Sequence, residues 1–334
     1  MSKQYLALHS IDNAHPSDVF ALATTSSSII SASGDPTITI HSTSSSEDGT
    51  AFPLTQVLSG AHALGCHHLA TSPAGTRLVS VGFGGELKIW DHAEAKWSLS
   101  GEILDGVVRK GKAGGAKSKA GEVWAVAISA DGAYVAATTA DGGINVWDVQ
   151  DPKQPRKLAE YASKGSFGMC VDLSADGRFV ATGTEGGNAF VFSTSGTGRL
   201  LHSLPGLVKP VRAVKFSPGS KLLAAAGDAR VVSLYDAESG EQVANLQGHE
   251  GWITSLDWSA TGAYLLSGGL DGRVKVWDVE VRKCVATHSE SEKGLWAVKW
   301  LPKGDTSVER GKAERFVTAG AAGSVAIYRE ATGG

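Results

Sequence analysis

Long apolar runs are missing from this 334-residue sequence: no stretch approaches 18 apolar residues. The expectation is no membrane-spanning helix, and residues 1–10 lack the apolar core of a signal peptide. Cysteine is scarce as well. Cys66, Cys170 and Cys284 are odd in number and widely spaced, which excludes a disulfide framework. Each falls in a strand-like apolar run, so three buried thiols in a reducing compartment are expected. An excess of positive charge is also absent. Lys and Arg number 31 against 34 Asp and Glu, a net charge of −3, which argues against a whole-molecule grip on nucleic acid. Proline is limited to 10 residues while glycine reaches 42, a balance that suits many tight hairpins.

What the sequence does contain is a repeat. Residues 72–91, 129–148, 174–193, 217–236 and 259–278 align without a gap. Each begins with Ser and carries an aromatic 18 positions later, and four of the five follow it with Asp. Two weaker copies end at Ile38-Thr39-Ile40-His41 and Val325-Ala326-Ile327-Tyr328. The closing aromatic, or His41 in its place, therefore stands at 41, 90, 147, 192, 235, 277 and 328. One unit reads as four strands: Ile253–Trp258, Ala263–Ser267 after a Ser-Ala-Thr-Gly turn, Arg273–Asp278 after Asp271-Gly272, and a last strand near Lys283–His288. Seven such units predict an all-β, seven-bladed β-propeller spanning residues 1–334 as a single domain. Tyr5–Ser10 resembles the fourth strands, and no room for one remains after Tyr328, so the N-terminal strand is expected to complete the last blade and close the ring. Flexible polar insertions are expected at about 42–53, 105–121 and 302–314.

Gly248-His249, Trp277-Asp278 and their copies resemble the WD-repeat family. In that family a His, a Ser or Thr, a turn Asp and the Trp form a hydrogen-bonded relay, which the resemblance places on His249, Ser267, Asp271 and Trp277. The unit with His62, Ser80 and Trp90 has Gly84 at the Asp position, and the unit with Asp141 and Trp147 has Lys119 at the His position. Both relays are expected to be weakened. A Ser-His-Asp set also raises a hydrolase triad, but the repeat accounts for these residues and no exposed nucleophile turn accompanies them. No catalytic residue is assigned and no enzyme is expected. His62, Cys66, His67 and His68 raise a zinc site. The two adjacent histidines point to opposite faces of a strand, and no second Cys/His pair follows, so core and relay roles are favoured and no metal or cofactor is expected. Gly111 to Ser118 nearly matches a phosphate-binding loop but has Ala116 before Lys117 and no strand-loop-helix context. The five cations of 105–121 read as a solvated loop, and direct RNA contact is not expected.

Propellers of this family bind partners on the face built by the loops entering the first strand and the turns between the second and third. The alignment places Asp18, Glu122, Phe167 and Trp252 just before first strands, and Glu250 and Glu292 two residues earlier. Phe83, Glu185 and Asp228 precede the turn. The set contains no Lys or Arg, and an acidic face with aromatic anchors suits a segment carrying an Arg and a bulky apolar residue.

Residues 248–256, Val276–Val279 and Gly294–Trp300, with the ending Tyr328-Arg329-Glu330-Ala331-Thr332-Gly333-Gly334 and the opening His9 to His15, are similar to one branch of the family, the WD-repeat subunit of the fungal superkiller (Ski) complex. The resemblance implies a non-catalytic scaffold that binds a tetratricopeptide-repeat protein carrying an RNA helicase, in support of exosome-mediated 3′-to-5′ mRNA decay in the cytoplasm. It also implies a nuclear role in meiotic recombination, through an Arg-containing motif of the DNA-break-forming protein. The alternative is a peptide reader or substrate adaptor in a chromatin or ubiquitin-ligase complex.

Overall fold

A computed structural model describes residues 3–46, 48–103, 123–163, 165–195, 199–289, 293–303 and 313–331. The described residues form seven four-stranded antiparallel sheets, arranged as a seven-bladed β-propeller. Blades 1 to 6 each run in chain order from an inner to an outer strand; their inner strands are Val19–Thr24, Cys66–Thr71, Val123–Ile128, Gly168–Leu173, Val211–Phe216 and Ile253–Trp258. In blade 7 the order is Leu295–Leu301, Arg315–Gly320, Val325–Glu330 and then Tyr5–Ile11, so the N-terminal strand is its outermost member.

The burial pattern follows from the layers. Second strands such as Ser28–Ser33 are buried along their whole length, because both of their faces meet a neighbouring blade. Outer strands alternate, with one face on the blade and one in solvent, as in Arg156–Ala162. Seven hydrophobic clusters result, one in each seam between adjacent blades. Gly272 makes the tight turn between the second and third strands of blade 6 with φ of +69°, and Gly85, Gly142, Gly187 and Gly323 do the same in blades 2, 3, 4 and 7. In blade 5 this left-handed position is held by Arg230, at +63°.

The central channel is lopsided. At the fifth position of the inner strands, blades 1 to 3 carry Ala23, Ala70 and Ala127, whereas blades 4 to 7 carry Asp172, Lys215, Asp257 and Lys299. Lys215 Nζ lies 2.6 Å from Asp172 and Lys299 Nζ 3.2 Å from Asp257. Each carboxylate also accepts a backbone N–H of the next blade, from Phe216 and Trp300 respectively. These pairs clamp blade 4 to 5 and blade 6 to 7.

Three sequence expectations need revision. Cys66 and Cys170 are buried, and burial pushes each thiol up to about 12, but Cys284 is exposed on an outer strand whose apolar face is shallow. The 42–53 insertion is not simply a polar loop: Phe52 is buried in the seam between blades 7 and 1 and stacks on His9 with ring centroids 5.5 Å apart. The third is that the second strand of blade 6 runs Tyr264–Gly269, one residue later than its start was placed. The 105–121 insertion, including the near phosphate-loop match, lies outside the described residues, as does most of 302–314.

The closing strand is held by Tyr5, 2% exposed, which packs against Trp300 and Phe316 at centroid distances of 6.1 and 5.2 Å. Lys3 pairs with Glu330 at 2.8 Å, and its backbone N–H reaches Val285 of blade 6. Tyr5→Ala is therefore expected to cost about 3 kcal/mol of stability. Leu6→Ala, on the exposed side of the same strand, should change it by less than about 0.5 kcal/mol. Urea denaturation of the two variants checks the contrast.

Candidate functional site

The loops that enter the inner strands and the turns between the second and third strands meet at one edge of each sheet. The backbone shows this directly: Phe83 N–H donates to Gly65 O, Glu185 to Phe167, Asp228 to Pro210, Leu270 to Trp252 and Ala321 to Gly294. Asp18, Phe83, Phe167, Glu185, Asp228, Glu250 and Trp252 thus share one face of the propeller. Glu122 and Glu292 lie outside the described residues.

That face is braced from within. In blade 6, Trp277 Nε1–H donates to Ser267 Oγ at 2.8 Å, Ser267 Oγ bonds His249 Nε2 at 2.8 Å, and His249 Nδ1 lies 2.9 Å from Asp271. A carboxylate can only accept, so Nδ1 carries the proton and Nε2 accepts from the serine hydroxyl. Asp271 also accepts the N–H of Glu250 and of Arg273, which ties the entry loop to the turn. Burial opposes its ionisation, but the bonds from His249 and Glu250 outweigh that and hold its pKa well below the usual carboxylate range. Ser267 has no exposed surface, so it cannot meet a substrate as a nucleophile.

The relay of blade 2 is complete rather than weakened. Glu86, two residues after Gly84, takes the place of the missing Asp and receives His62 Nδ1–H at 2.9 Å, while His62 Nε2 bonds Ser80 Oγ at 2.7 Å and Trp90 Nε1–H donates to the same oxygen. The longer glutamate side chain covers the two-residue displacement. Blade 1 has a relay that the repeat alignment passed over: His15 bonds Asp35 at 2.9 Å and Ser31 at 3.0 Å. Its signal was the spacing, since Ser31, Asp35 and His41 stand as far apart as Ser267, Asp271 and Trp277. In blade 3, Trp147 Nε1 has no partner among the described residues.

The face is more aromatic than the sequence suggested. The second residues of the inner strands are Phe20, His67, Trp124, Met169, Arg212, Thr254 and Trp296, all half-buried. Five ring contacts join them to Phe83 and Phe167. Trp296–Phe20 and Phe20–Phe83 stand 5.7 and 5.4 Å apart, Phe83–His67 and His67–Trp124 stand 4.6 and 4.4 Å apart, and Trp124–Phe167 stands 5.2 Å apart. The result is an unbroken aromatic arc over blades 7, 1, 2, 3 and 4, from which Phe83 is 42% exposed. Phe20, Trp124 and Trp296 escaped the sequence reading because it sampled the residue before each strand and not the second residue within it.

The expectation of an acidic face free of cations is corrected. Arg212 donates through Nε and Nη2 to both oxygens of Asp228 and lies over the Trp252 ring, 4.5 Å from its centroid. Arg273 pairs with Glu250 at 2.8 Å, and Arg230 donates to the Glu250 carbonyl at 3.1 Å. Asp18 accepts from Trp296 Nε1 at 2.8 Å. The arginines were missed because each stands two or three residues past the positions compared. Glu185 remains exposed.

The members of the histidine cluster have separate engagements. His62 belongs to the relay, His67 to the arc, and His68 accepts from Val126 N–H across the seam at 3.4 Å. Among the described residues no group of His, Cys, Asp or Glu is placed to hold a metal ion. Burial lowers His67 to about 4, and lowers His68 to about 3 with help from neighbouring positive charge. An unfolded histidine titrates near 6.5, so these buried neutral rings contribute stability that is complete above about pH 6.5 and is lost as pH falls toward 4. The urea midpoint should accordingly drop between pH 7.5 and 5, and His67→Phe should shrink the drop. Glu86→Ala, which orphans His62 Nδ1, should cost about 1–3 kcal/mol in the same assay at pH 7.5.

The WD domain, G-beta repeat family matches residues 53–91, 115–148, 198–236 and 240–278. Over 331 residues, 99% of both chains, the sequence is 39% identical to the meiotic recombination protein rec14 of Schizosaccharomyces pombe. It is 29% identical to the antiviral protein SKI8 of Saccharomyces cerevisiae over 180 residues, 41% of this chain and 45% of that one. It is also 28% identical to the protein groucho of Drosophila melanogaster over 186 residues, 55% of this chain and 25% of that one. With four matched repeats, seven blades, complete relays in blades 2 and 6 and a full-length relative at this identity, the chain belongs to the WD-repeat family.

Proposed function

We propose that this protein is a non-catalytic scaffold whose aromatic face captures an apolar segment of a partner protein. The observation that carries the reading is the continuous arc from Trp296 to Phe167. Half-buried rings braced on rigid strands lose little entropy on binding, and Trp and Phe supply large contact area, the pattern of interface anchors. Among the described residues of this face none is arranged for bond chemistry: the Ser-His-Asp sets of blades 1 and 6 keep their serines, Ser31 and Ser267, fully buried and spent on packing.

The partners follow from the relatives and from the resemblance of the chain. A full-length relative is named for meiotic recombination, and a more distant one is an antiviral protein of the SKI group. Our reading assigns the chain two assemblies. One is with a tetratricopeptide-repeat protein and its RNA helicase, in support of exosome-mediated mRNA decay in the cytoplasm. The other is with the DNA-break-forming protein of meiosis, in the nucleus. For an Arg-containing motif, Asp228 and Glu250 are already engaged by Arg212 and Arg273, which leaves Glu185 as the exposed acid with no side-chain partner among the described residues of this face.

The test is affinity capture from vegetative and meiotic cells with the wild-type chain and with Trp124→Ala, after thermal melting shows that the variant is folded. Wild type should retain the helicase and the repeat protein in vegetative extract, and the break-forming protein in meiotic extract. Trp124→Ala should lower recovery about 30-fold, the loss ordinary for a hot-spot aromatic. Recovery of neither assembly by wild type overturns the assignment of partners. Equal recovery by both proteins moves the binding surface away from the arc.

A further inference from the structure

The aromatic arc has a gap, and the gap is cationic. It runs from blade 7 through blade 4 and leaves blades 5 and 6, where the equivalent inner-strand residues are Arg212 and Thr254. Thr254 turns its hydroxyl inward, donating to the Leu295 carbonyl at 2.7 Å. Arg212 is therefore the charged member of the ring. Asp228 holds its Nε and Nη2, and Trp252 lies against its plane. Among the described residues none engages either N–H of Nη1.

Two further arginines stand in the same sector. Arg273 reaches Glu250, and Arg230 reaches the Glu250 carbonyl from a left-handed backbone position. Five other blades place glycine there, at Gly85, Gly142, Gly187, Gly272 and Gly323. A long cationic side chain kept where glycine is the comfortable residue points to a use for that side chain. Lys209, on the loop entering blade 5, is exposed as well.

We propose that the segment received by this face carries a carboxylate, which docks on Arg212 Nη1 while a neighbouring apolar side chain rests on the aromatic arc. This rests on the arc as binding surface and adds the partner's polar anchor. A guanidinium already fixed by a carboxylate and an indole pays no rotamer entropy when it binds, and its planar fork favours an oxygen acceptor. Arg230, Arg273 and Lys209 strengthen the field of the same sign. The carboxylate is an Asp or Glu side chain within the segment, next to the apolar side chain that rests on the arc.

The experiment uses the full chain and a set of synthetic peptides, read by fluorescence anisotropy. Each peptide carries one Trp, Phe or Leu and one Glu, Gln or Arg placed one to five residues away, with free or amidated C-termini. Wild type should prefer Glu over Gln at the best spacing by about tenfold, the preference being smaller at high salt. Arg212→Gln should reduce the preference to under about twofold, and Arg212→Lys, which keeps the charge but loses the fork, should fall between. Thermal melting controls for folding, with Arg212→Lys as the gentler variant. Dependence on Glu in amidated peptides supports the side-chain assignment, and a free C-terminus that replaces the need for Glu overturns it. Binding of the Gln peptides to wild type as tightly as the Glu peptides overturns the inference, as does a Glu preference that survives Arg212→Gln. Peptides that bind wild type and are lost in Trp124→Ala without regard to charge leave the arc standing and remove only the carboxylate. Failure of every peptide to bind wild type removes both.

Discussion

Every blade of this protein must bury both faces of its sheet, and only a neighbour on each side can do that. The seven apolar clusters lie in the seams between blades and not within them. A sheet with a free side would expose residues such as Ile30, Ala136 and Leu266, which have no contact with water in the ring. The ring therefore has to close, and the last seam is completed by a strand from the opposite end of the sequence. Tyr5, Phe316 and Trp300 make that seam as dense in aromatics as any other. The channel clamps at Asp172–Lys215 and Asp257–Lys299 add polar ties on one side of the ring, where the opposite side is lined with alanine.

Rigidity in the seams is what lets loops act as a surface. The relays of blades 1, 2 and 6 carry the packing out to the face, because the acceptor of each chain of bonds lies in or just after the turn between the second and third strands. In blade 6 the carboxylate that accepts the His249 Nδ1–H also accepts the backbone N–H of Glu250, two residues from Trp252. Aromatic rings then stack from blade to blade across the entry positions, each fixed by its neighbour as well as by its own strand. The face is thus a preformed surface in which apolar and cationic sectors have separate places.

The site was legible in the sequence only in part, and the reason lies in how it is built. The relay of His249, Ser267, Asp271 and Trp277 is local to one blade, so its members sit at spacings that repeat. Glu86 for the absent Asp broke the spacing while keeping the chemistry, because its side chain folds back beside Gly84 and sets the carboxylate where the aspartate would stand. The face is assembled across blades. Trp296 touches Phe20 over most of the length of the chain, and Arg212 finds Trp252 from the neighbouring blade. Such contacts leave no periodic trace. Reading acids alone suggested a negative face, yet Asp228 and Glu250 come with arginines that neutralise them.

The sequence by itself determined the number of blades, the strand order within each and the closing role of the first strand, because these follow from a repeat of alternating apolar residues and glycine turns that only one architecture can bury. It also determined which residues stand at the edge that becomes the face. Tertiary structure decided what the face is. Which rings touch, which carboxylates are spent and which guanidinium keeps free donors depend on distances between side chains that only ring closure brings together, some from blades adjacent in space and distant in sequence.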